Sequence, residues 1–361
     1  MSILNIMWAG GSAFASVQKV HQQILSHALS RAPIDTWLLQ GSADGGEPAR
    51  EWKLSSARLK GRHVWKLMMP WMRARFEKAL PDGVEVVLLD GIGVARVMLP
   101  VLKRLPQVRA VVVFHGATRL RRADQQLFEQ FPATQLTLAA VSQTLADSLE
   151  RCLQRPVAVL RSAFDPVAFR AAALSREEAR SRLGLPLEDA PVLGAVGRLV
   201  DGKGFGCLLE AFANVSATQP GARLVILGEG PARPALEARI EQLGLQGKVS
   251  LPGHLPDAAT LYRAFDWVAI PSTQEGLGLI LQEAVMAGVP VLTSELAVFR
   301  EQLADAGWYA PSEDAEAWAG LMARAFAASA TAVVEAQSQA LAPEQAWKDF
   351  SETSRRLFSC R

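Results

Sequence analysis

Short runs of consecutive apolar residues recur along the chain, among them Val86–Leu89, Ala110–Phe114 and Leu224–Leu227. They alternate with longer stretches in which apolar positions return every three or four residues. The short runs show no in-out alternation, which is the pattern of strands buried on both faces, and the longer stretches have the period of amphipathic helices. Candidate strands fall at 3–8, 34–39, 85–89, 109–114, 136–141, 157–160, 191–196, 222–227, 248–251, 267–270 and 290–293. Helical patterns fit between most of them, so the chain is read as α/β with parallel sheets built from strand–helix–strand units. Two halves emerge, roughly 1–165 and 185–340. The segment 171–190 reads as a linker plus a short helix, with Pro186 and acidic residues marking a break. The tail 343–360 reads as an amphipathic helix.

The stretch Pro271–Pro290 carries the most chemistry. The apolar run ending at Ile270 closes at Pro271-Ser272, and helical spacing begins at Leu279 and stops at Gly288. Between them lies Glu275-Gly276-Leu277-Gly278. Its glycines let backbone amides approach a ligand, and a helix N-terminus favours an anion. Two carboxylates, Glu275 and Glu283, flank this place. They would repel a phosphate, but they suit hydroxyl groups. A ligand with both phosphates and hydroxyls is a nucleotide sugar.

A second glycine-rich turn, Gly197 to Gly204, follows the strand 191–196 and carries Arg198 and Lys203. A guanidinium fork and a point charge suit a diphosphate. Gly228 and Gly230 mark a third turn, read as a fold marker before a ligand contact. His254 ends a fourth, where it would touch a base or cap the turn. In the first half, Gly10-Gly11 follows the first strand. His115 stands at the carboxyl end of the strand 109–114, and Ser142 has the setting of a helix N-cap.

With these residues in view, the chain resembles retaining glycosyltransferases of the GT-B architecture, most closely their large fourth family, the glycosyl transferases group 1. The block from Glu275 through Glu283 to the Ala284–Pro290 ending carries the resemblance; the two-glutamate spacing alone would not. It implies two Rossmann-like domains facing across a cleft, with a C-terminal helix crossing back to the first. Residues 1–168, with the helix 343–361 packed on them, would bind the acceptor, and residues 169–342 the nucleotide-sugar donor. It further implies donor contacts at Gly10, Gly11, Gly197, Arg198, Lys203, His254, Glu275, Gly276, Leu277, Gly278 and Glu283. Arg198 and Lys203 would stabilise the leaving diphosphate, Glu275 would hold the sugar hydroxyls, Glu283 the ribose, and His115 would orient the sugar. No cofactor and no metal is expected. One departure is that relatives usually place an Asn-Gly turn just after the strand near 157–160, where this chain has Arg161-Ser162-Ala163.

Composition adds limits. The chain has 361 residues, enough for two cores, and no run of eighteen apolar residues. It opens straight into an apolar run, which reads as a strand and not a signal peptide. Three scattered cysteines fit neither a disulfide framework nor a metal site and suit a reducing cytoplasm. The five histidines show no zinc-like spacing. Net charge is only +2, but residues 53–80 hold eight Lys and Arg against Glu77 alone. Trp and Met are interleaved among them, and Arg62, Trp65, Lys66, Trp71, Arg73 and Arg75 are candidates for a surface meeting an anionic membrane or a phosphorylated glycolipid acceptor. The expected partners are a nucleotide-sugar donor, a glycan or glycolipid acceptor such as a lipopolysaccharide core and an anionic membrane surface. Nucleic acid is not expected, because the basic residues are confined to one region. The residues leave other readings open: a nucleotide-sugar epimerase or hydrolase, a non-catalytic nucleotide-sugar-binding subunit, or a membrane-surface protein.

Overall fold

The computed structural model describes residues 2–10, 15–28, 33–42, 49–59, 65–187 and 190–359. The chain divides into two compact units. The first comprises residues 1–162 with 348–361, and the second residues 163–347. The strands of the first unit are β1 (Ser2–Ala9), β2 (Ile34–Gln40), β3 (Ala49–Glu51), β4 (Val84–Asp90), β5 (Arg109–Phe114), β6 (Leu136–Ala140) and β7 (Ala158–Val159). Those of the second are β8 (Val192–Val196), β9 (Arg223–Leu227), β10 (Val249–Gly253), β11 (Trp267–Ile270), β12 (Val291–Ser294) and β13 (Trp308–Ala310).

Every pairing between them is parallel. The first sheet runs β3-β2-β1-β4-β5-β6-β7 and the second β10-β9-β8-β11-β12-β13. Both orders start in the middle, run outward, and return to the other side of the first strand. This is the doubly wound arrangement, and it places a switch point between β1 and β4 in one unit and between β8 and β11 in the other. Ligands of such sheets bind beyond the carboxyl ends of the strands at that point.

The strands are as apolar as the pattern predicts because helices cover both faces. All residues of β11 and β12 are buried. In the second unit Leu208, Phe212, Leu224, Ile226, Trp267 and Trp318 form one continuous core. Each such side chain contributes about 1.5–3 kcal/mol by leaving water.

Sequence and structure differ at three places. Two short strands, β3 and β13, were not anticipated; each is three residues long and pairs at a sheet edge, too short to set a period. The stretch 171–190 is not a free linker, because it is built into the second unit. Arg180 on the helix Arg176–Arg182 is fully buried, bonding the carbonyls of Ala264 and Pro186 and the Asp266 carboxylate. The chain leaves the first unit earlier, after a fully buried Ser162, and Asp165 caps the next helix through the amides of Val167 and Ala168. The C-terminal helix Pro343–Phe358 forms as expected, and its residues from Lys348 onward belong to the first unit. There Arg109 bonds the carbonyls of Phe358 and Ser359. Among the described residues no single helix is long and apolar enough to cross a membrane.

Candidate nucleotide-sugar site

In the second unit, the turns after β8, β9 and β10 are zipped together by their backbones. The Gly197 amide donates to the Leu227 carbonyl (2.9 Å) and the Gly228 amide to the Gly253 carbonyl (2.8 Å). A Cβ on Gly228 would stand 1.8 Å from the Gly197 oxygen, so only glycine permits this approach. A Cβ on Gly230 would stand 2.3 Å from the Leu199 oxygen. The two glycines are thus part of the fold, as the sequence reading has them.

The turn 197–204 is also stitched to the turn after β11. Gly204, at φ +70°, leaves 2.1 Å between its would-be Cβ and the Pro271 oxygen, and the Thr273 amide donates to the Gly202 carbonyl (3.0 Å). This lashing brings Lys203 to Glu275, 72 residues apart, with Nζ and Oε1 separated by 2.5 Å. Ser272 Oγ donates to the same oxygen at 2.9 Å. Both partners fall on Oε1, and Oε2 has none among the described residues. The two side chains are only 20% and 12% exposed, so the pair lies in a recess and not on an open surface. Arg198, two residues before Val200 on the same turn, is exposed.

Gly278, at φ +82°, opens the helix Leu279–Met286, and a Cβ there would be 2.5 Å from the Phe299 ring. The Leu277 side chain is packed inside the second unit. It is 4% exposed, and its carbonyl accepts from Gln302 Nε2 at 2.6 Å. Leu277 can serve a ligand only through its backbone, because its apolar side chain fills the space under the turn. Glu283, in the second turn of that helix, accepts from the Tyr262 hydroxyl at 2.9 Å. Tyr262 is fully buried, and its phenol is held well above the ordinary range by burial first and by the Glu283 carboxylate second. Sequence reasoning missed Tyr262; it lies 21 residues before Glu283 with no motif around it. His254 stands exposed after β10, beside the Glu229 carboxylate.

In the first unit, the switch point gathers a different set. Gly10 donates its amide to the Gln40 carbonyl (3.1 Å), and a Cβ there would be 2.2 Å from the Ser42 oxygen. Gly11 lies outside the described residues. Asp90, ending β4, accepts the Trp8 amide on Oδ2 (3.0 Å). His115, just past β5, has its Nε2 3.0 Å from His21 Nε2 and 3.8 Å from Asp90 Oδ1. His21 in turn bonds Asn5 Oδ1 through Nδ1 at 2.7 Å. Burial holds His115 down to about 4, and holds His21 well below the ordinary range, helped by the neighbouring His115. Burial pushes Asp90 up to about 6, opposed by the Trp8 hydrogen bond. The histidines show no zinc-like spacing in the sequence, yet the fold pairs two of them. His21 and His115 are 94 residues apart, and only the fold brings them together.

The basic stretch is partly described. Arg62 lies outside the described residues, as do the side chains of Trp65 and Lys66. The helix Trp65–Ala79 turns Met72 and Phe76 inward and leaves Leu67, Met68 and Trp71 85%, 41% and 57% exposed. Arg75 stacks over Trp71 (5.0 Å) and Trp52 (5.7 Å). Arg73 is half-buried, with its Nε enclosed and burial drawing its pKa below the ordinary arginine range. Only part of the side chain reaches the surface.

Against known proteins, residues 175–334 match the family described as Glycosyl transferases group 1. The match to the group 1 glycosyltransferases falls within the second unit, and the two doubly wound units have the GT-B fold. It is 30% identical to the 2-deoxystreptamine glucosyltransferase of Streptomyces kanamyceticus over 60% of either chain. It is 36% identical to the lipopolysaccharide core biosynthesis glycosyltransferase LpsE of Rhizobium meliloti over 32% of either chain. The matched stretch therefore spans less than two thirds of the glucosyltransferase and about a third of LpsE. Sucrose-phosphate synthase from Thermosynechococcus elongatus superposes over the full length of both chains with a TM-score of 0.78 at 17% identity, a likeness of fold.

Proposed function

We propose that the chain is a metal-independent, retaining glycosyltransferase that moves a sugar from a nucleoside-diphosphate donor to a glycan acceptor carried on a lipid, such as a lipopolysaccharide core. The observation that carries the reading is the Lys203–Glu275 pair at the switch point of the second sheet, beside a glycine-rich helix start. A cation for a diphosphate and a carboxylate for sugar hydroxyls stand within hydrogen-bonding distance of each other.

In this reading the diphosphate lies against Lys203, Arg198 and the backbone amides at 276–278. These donors meet the negative charge as the sugar–phosphate bond breaks, which is electrostatic stabilisation of a leaving group. Glu275 Oε2 holds hydroxyls of the transferred sugar. Glu283, kept in place by Tyr262, takes the ribose hydroxyls. His115 orients the sugar, and the departing phosphate oxygen accepts the proton of the attacking hydroxyl. That balance leaves no step requiring an enzymatic nucleophile. The lipid-linked acceptor is favoured by the exposed Leu67, Met68 and Trp71 beside Arg75, and by the lipopolysaccharide-core relative. The protein would act in the cytoplasm, with its basic face against an anionic membrane.

The test is a thermal-shift panel of UDP-, GDP-, ADP- and TDP-sugars without metal, on wild type and Glu283→Ala. A true donor raises the melting temperature by mass action. One responding donor, with the response lost in Glu283→Ala, supports the site and names the base. A flat panel on folded protein, with and without lipopolysaccharide acceptor, overturns it. The anomeric configuration of the product, read by NMR, tests retention.

A further inference from the structure

The cluster of His21, Asp90 and His115 has a chemistry of its own. Its three ligand atoms, two imidazole nitrogens and a carboxylate oxygen, all lie within 4.8 Å of one another. They come from three separate elements: the helix Ala15–Ser26, the end of β4 and the end of β5. The separations, 3.0 Å between the two Nε2 atoms and 3.8 Å from His115 Nε2 to Asp90 Oδ1, can be set against a metal's needs. Tetrahedral zinc with bonds of about 2.0–2.2 Å places its ligand atoms about 3.3–3.5 Å apart. The two distances bracket that value, so shifts of a few tenths of an ångström bring both onto it.

The supporting contacts point the same way. Asn5 Oδ1 holds His21 Nδ1–H, which leaves Nε2 as the bare nitrogen aimed at the cluster. The Trp8 amide holds Asp90 Oδ2, which leaves Oδ1 aimed at His115. Fixing the outer atom of a ligand so that the inner one faces the metal is the usual support of a metal site. His115 and Asp90 are each 12% exposed, so the cluster is not sealed from solvent.

We propose that His21 Nε2, His115 Nε2 and Asp90 Oδ1 bind one zinc ion, and that the bound ion withdraws His115 from substrate. Without zinc, one proton bridges the two Nε2 atoms. Zinc takes that place; His115 then carries its proton on Nδ1 and both rings stay neutral. Two nitrogens and one carboxylate suit zinc and its neighbours in the transition series and not magnesium or calcium, which want oxygen ligands. The inhibitory consequence rests on the glycosyltransferase reading; the ion site does not.

The test is competition for zinc between a chromophoric chelator and the full chain, with Cys152, Cys207 and Cys360 changed to Ser to remove the thiols. The expected result is one ion per chain. His21→Asn and Asp90→Asn, each checked for folding by circular dichroism, should each weaken it by at least about tenfold. Cobalt should give the visible absorption of a four-coordinate ion, lost in both variants, and millimolar magnesium should not compete. Zinc should inhibit sugar transfer and a chelator should restore it. No competition with the chelator, or stoichiometric zinc that survives the His21→Asn/Asp90→Asn double variant, overturns the site. Zinc bound without inhibition overturns the withdrawal of His115. Zinc bound by a protein with no transferase activity leaves the site standing and fails the functional reading instead.

Discussion

Lys203 and Glu275 form an ion pair at 2.5 Å inside the very site where a diphosphate is proposed to bind. The ammonium cannot serve both anions equally, so donor binding must loosen the pair. Glu275→Gln keeps the acceptor for Ser272 and removes the competing charge. We expect it to bind a bare nucleoside diphosphate at least as well as wild type, while losing discrimination in favour of the nucleotide sugar and slowing transfer by about 100-fold or more. Titration calorimetry with and without the sugar, beside a transfer assay, reads both. Equal weakening for nucleotide and nucleotide sugar would count against Lys203 as the phosphate cation.

Tyr262 deserves a variant of its own because it is fully buried and its hydroxyl has one purpose among the described residues, to hold Glu283. Tyr262→Phe removes a single oxygen and should cost about 1.5–3 kcal/mol of stability, the range for a lost hydrogen bond to a charged group. Donor affinity should fall less than in Glu283→Ala, since the carboxylate remains. A Tyr262→Phe protein that binds donor as poorly as Glu283→Ala would mean that the tyrosine itself meets the ligand.

Three glycines separate backbone need from ligand contact. Gly228→Ala and Gly278→Ala each meet a clash, with the Gly197 oxygen at 1.8 Å and the Phe299 ring at 2.5 Å, on top of an unfavourable φ. We expect losses of about 2–4 kcal/mol in denaturant unfolding of the second unit, from strain and overpacking combined. Gly288→Ala has the same sign of φ but open space around it, so it should lose only about 1 kcal/mol. Similar losses in all three would show that φ, and not the packing of the turns, sets the requirement.

The second half of the chain was legible because its site residues sit in local words: glycine turn, cation, strand end, helix start. Gly197, Lys203, Glu275 and Gly278 each carry their meaning within ten residues. What was not legible depends on distance along the chain. Tyr262 reaches Glu283, and His21 reaches His115, through packing that no window displays. At Leu277 the spacing could not say that the turn buries its one large side chain and leaves only backbone for a ligand. Among the basic residues the helix period alone could not say that Arg73 is half-buried while Arg75 stacks outward on tryptophan.

The cluster of Asp90 and the two histidines should leave a pH signature of opposed signs. His115 is held down to about 4 from an ordinary 6.5, so the folded state binds fewer protons than the unfolded chain in that window. Its contribution is complete above 6.5 and is lost as pH falls toward 4, about 3 kcal/mol in all. His21 acts in the same sense. Asp90 is pushed up to about 6 from 3.8, so its contribution is complete below 3.8 and is lost as pH rises through 6, again about 3 kcal/mol. The terms oppose each other in wild type. Between pH 6.5 and 4.5, Asp90→Asn should therefore lose stability toward acid more steeply than wild type, and His115→Gln less steeply. Denaturation midpoints across that range decide it; parallel curves for all three would show that these groups keep ordinary values.

The exposed Leu67 and Trp71 give the surface reading a definite expectation. Burying Leu67, Met68 and Trp71 in a bilayer interface is worth about 1.5–3 kcal/mol each at full burial, and each arginine near anionic lipid adds about 1 kcal/mol. Their sum supports reversible attachment and not permanent anchoring. Wild type should float with phosphatidylserine-containing vesicles, float less as salt rises, and stay down with purely zwitterionic ones. Arg75 is stacked on Trp71 and Trp52, so Arg75→Gln should reduce flotation through both the lost charge and a loosened Trp71. Arg73→Gln should do little, because that side chain is half-buried. If Arg73→Gln weakens flotation as much as Arg75→Gln, the outward face of this helix is not what meets the lipid. If wild type stays in the pellet with every vesicle, the exposed side chains answer to a soluble acceptor instead.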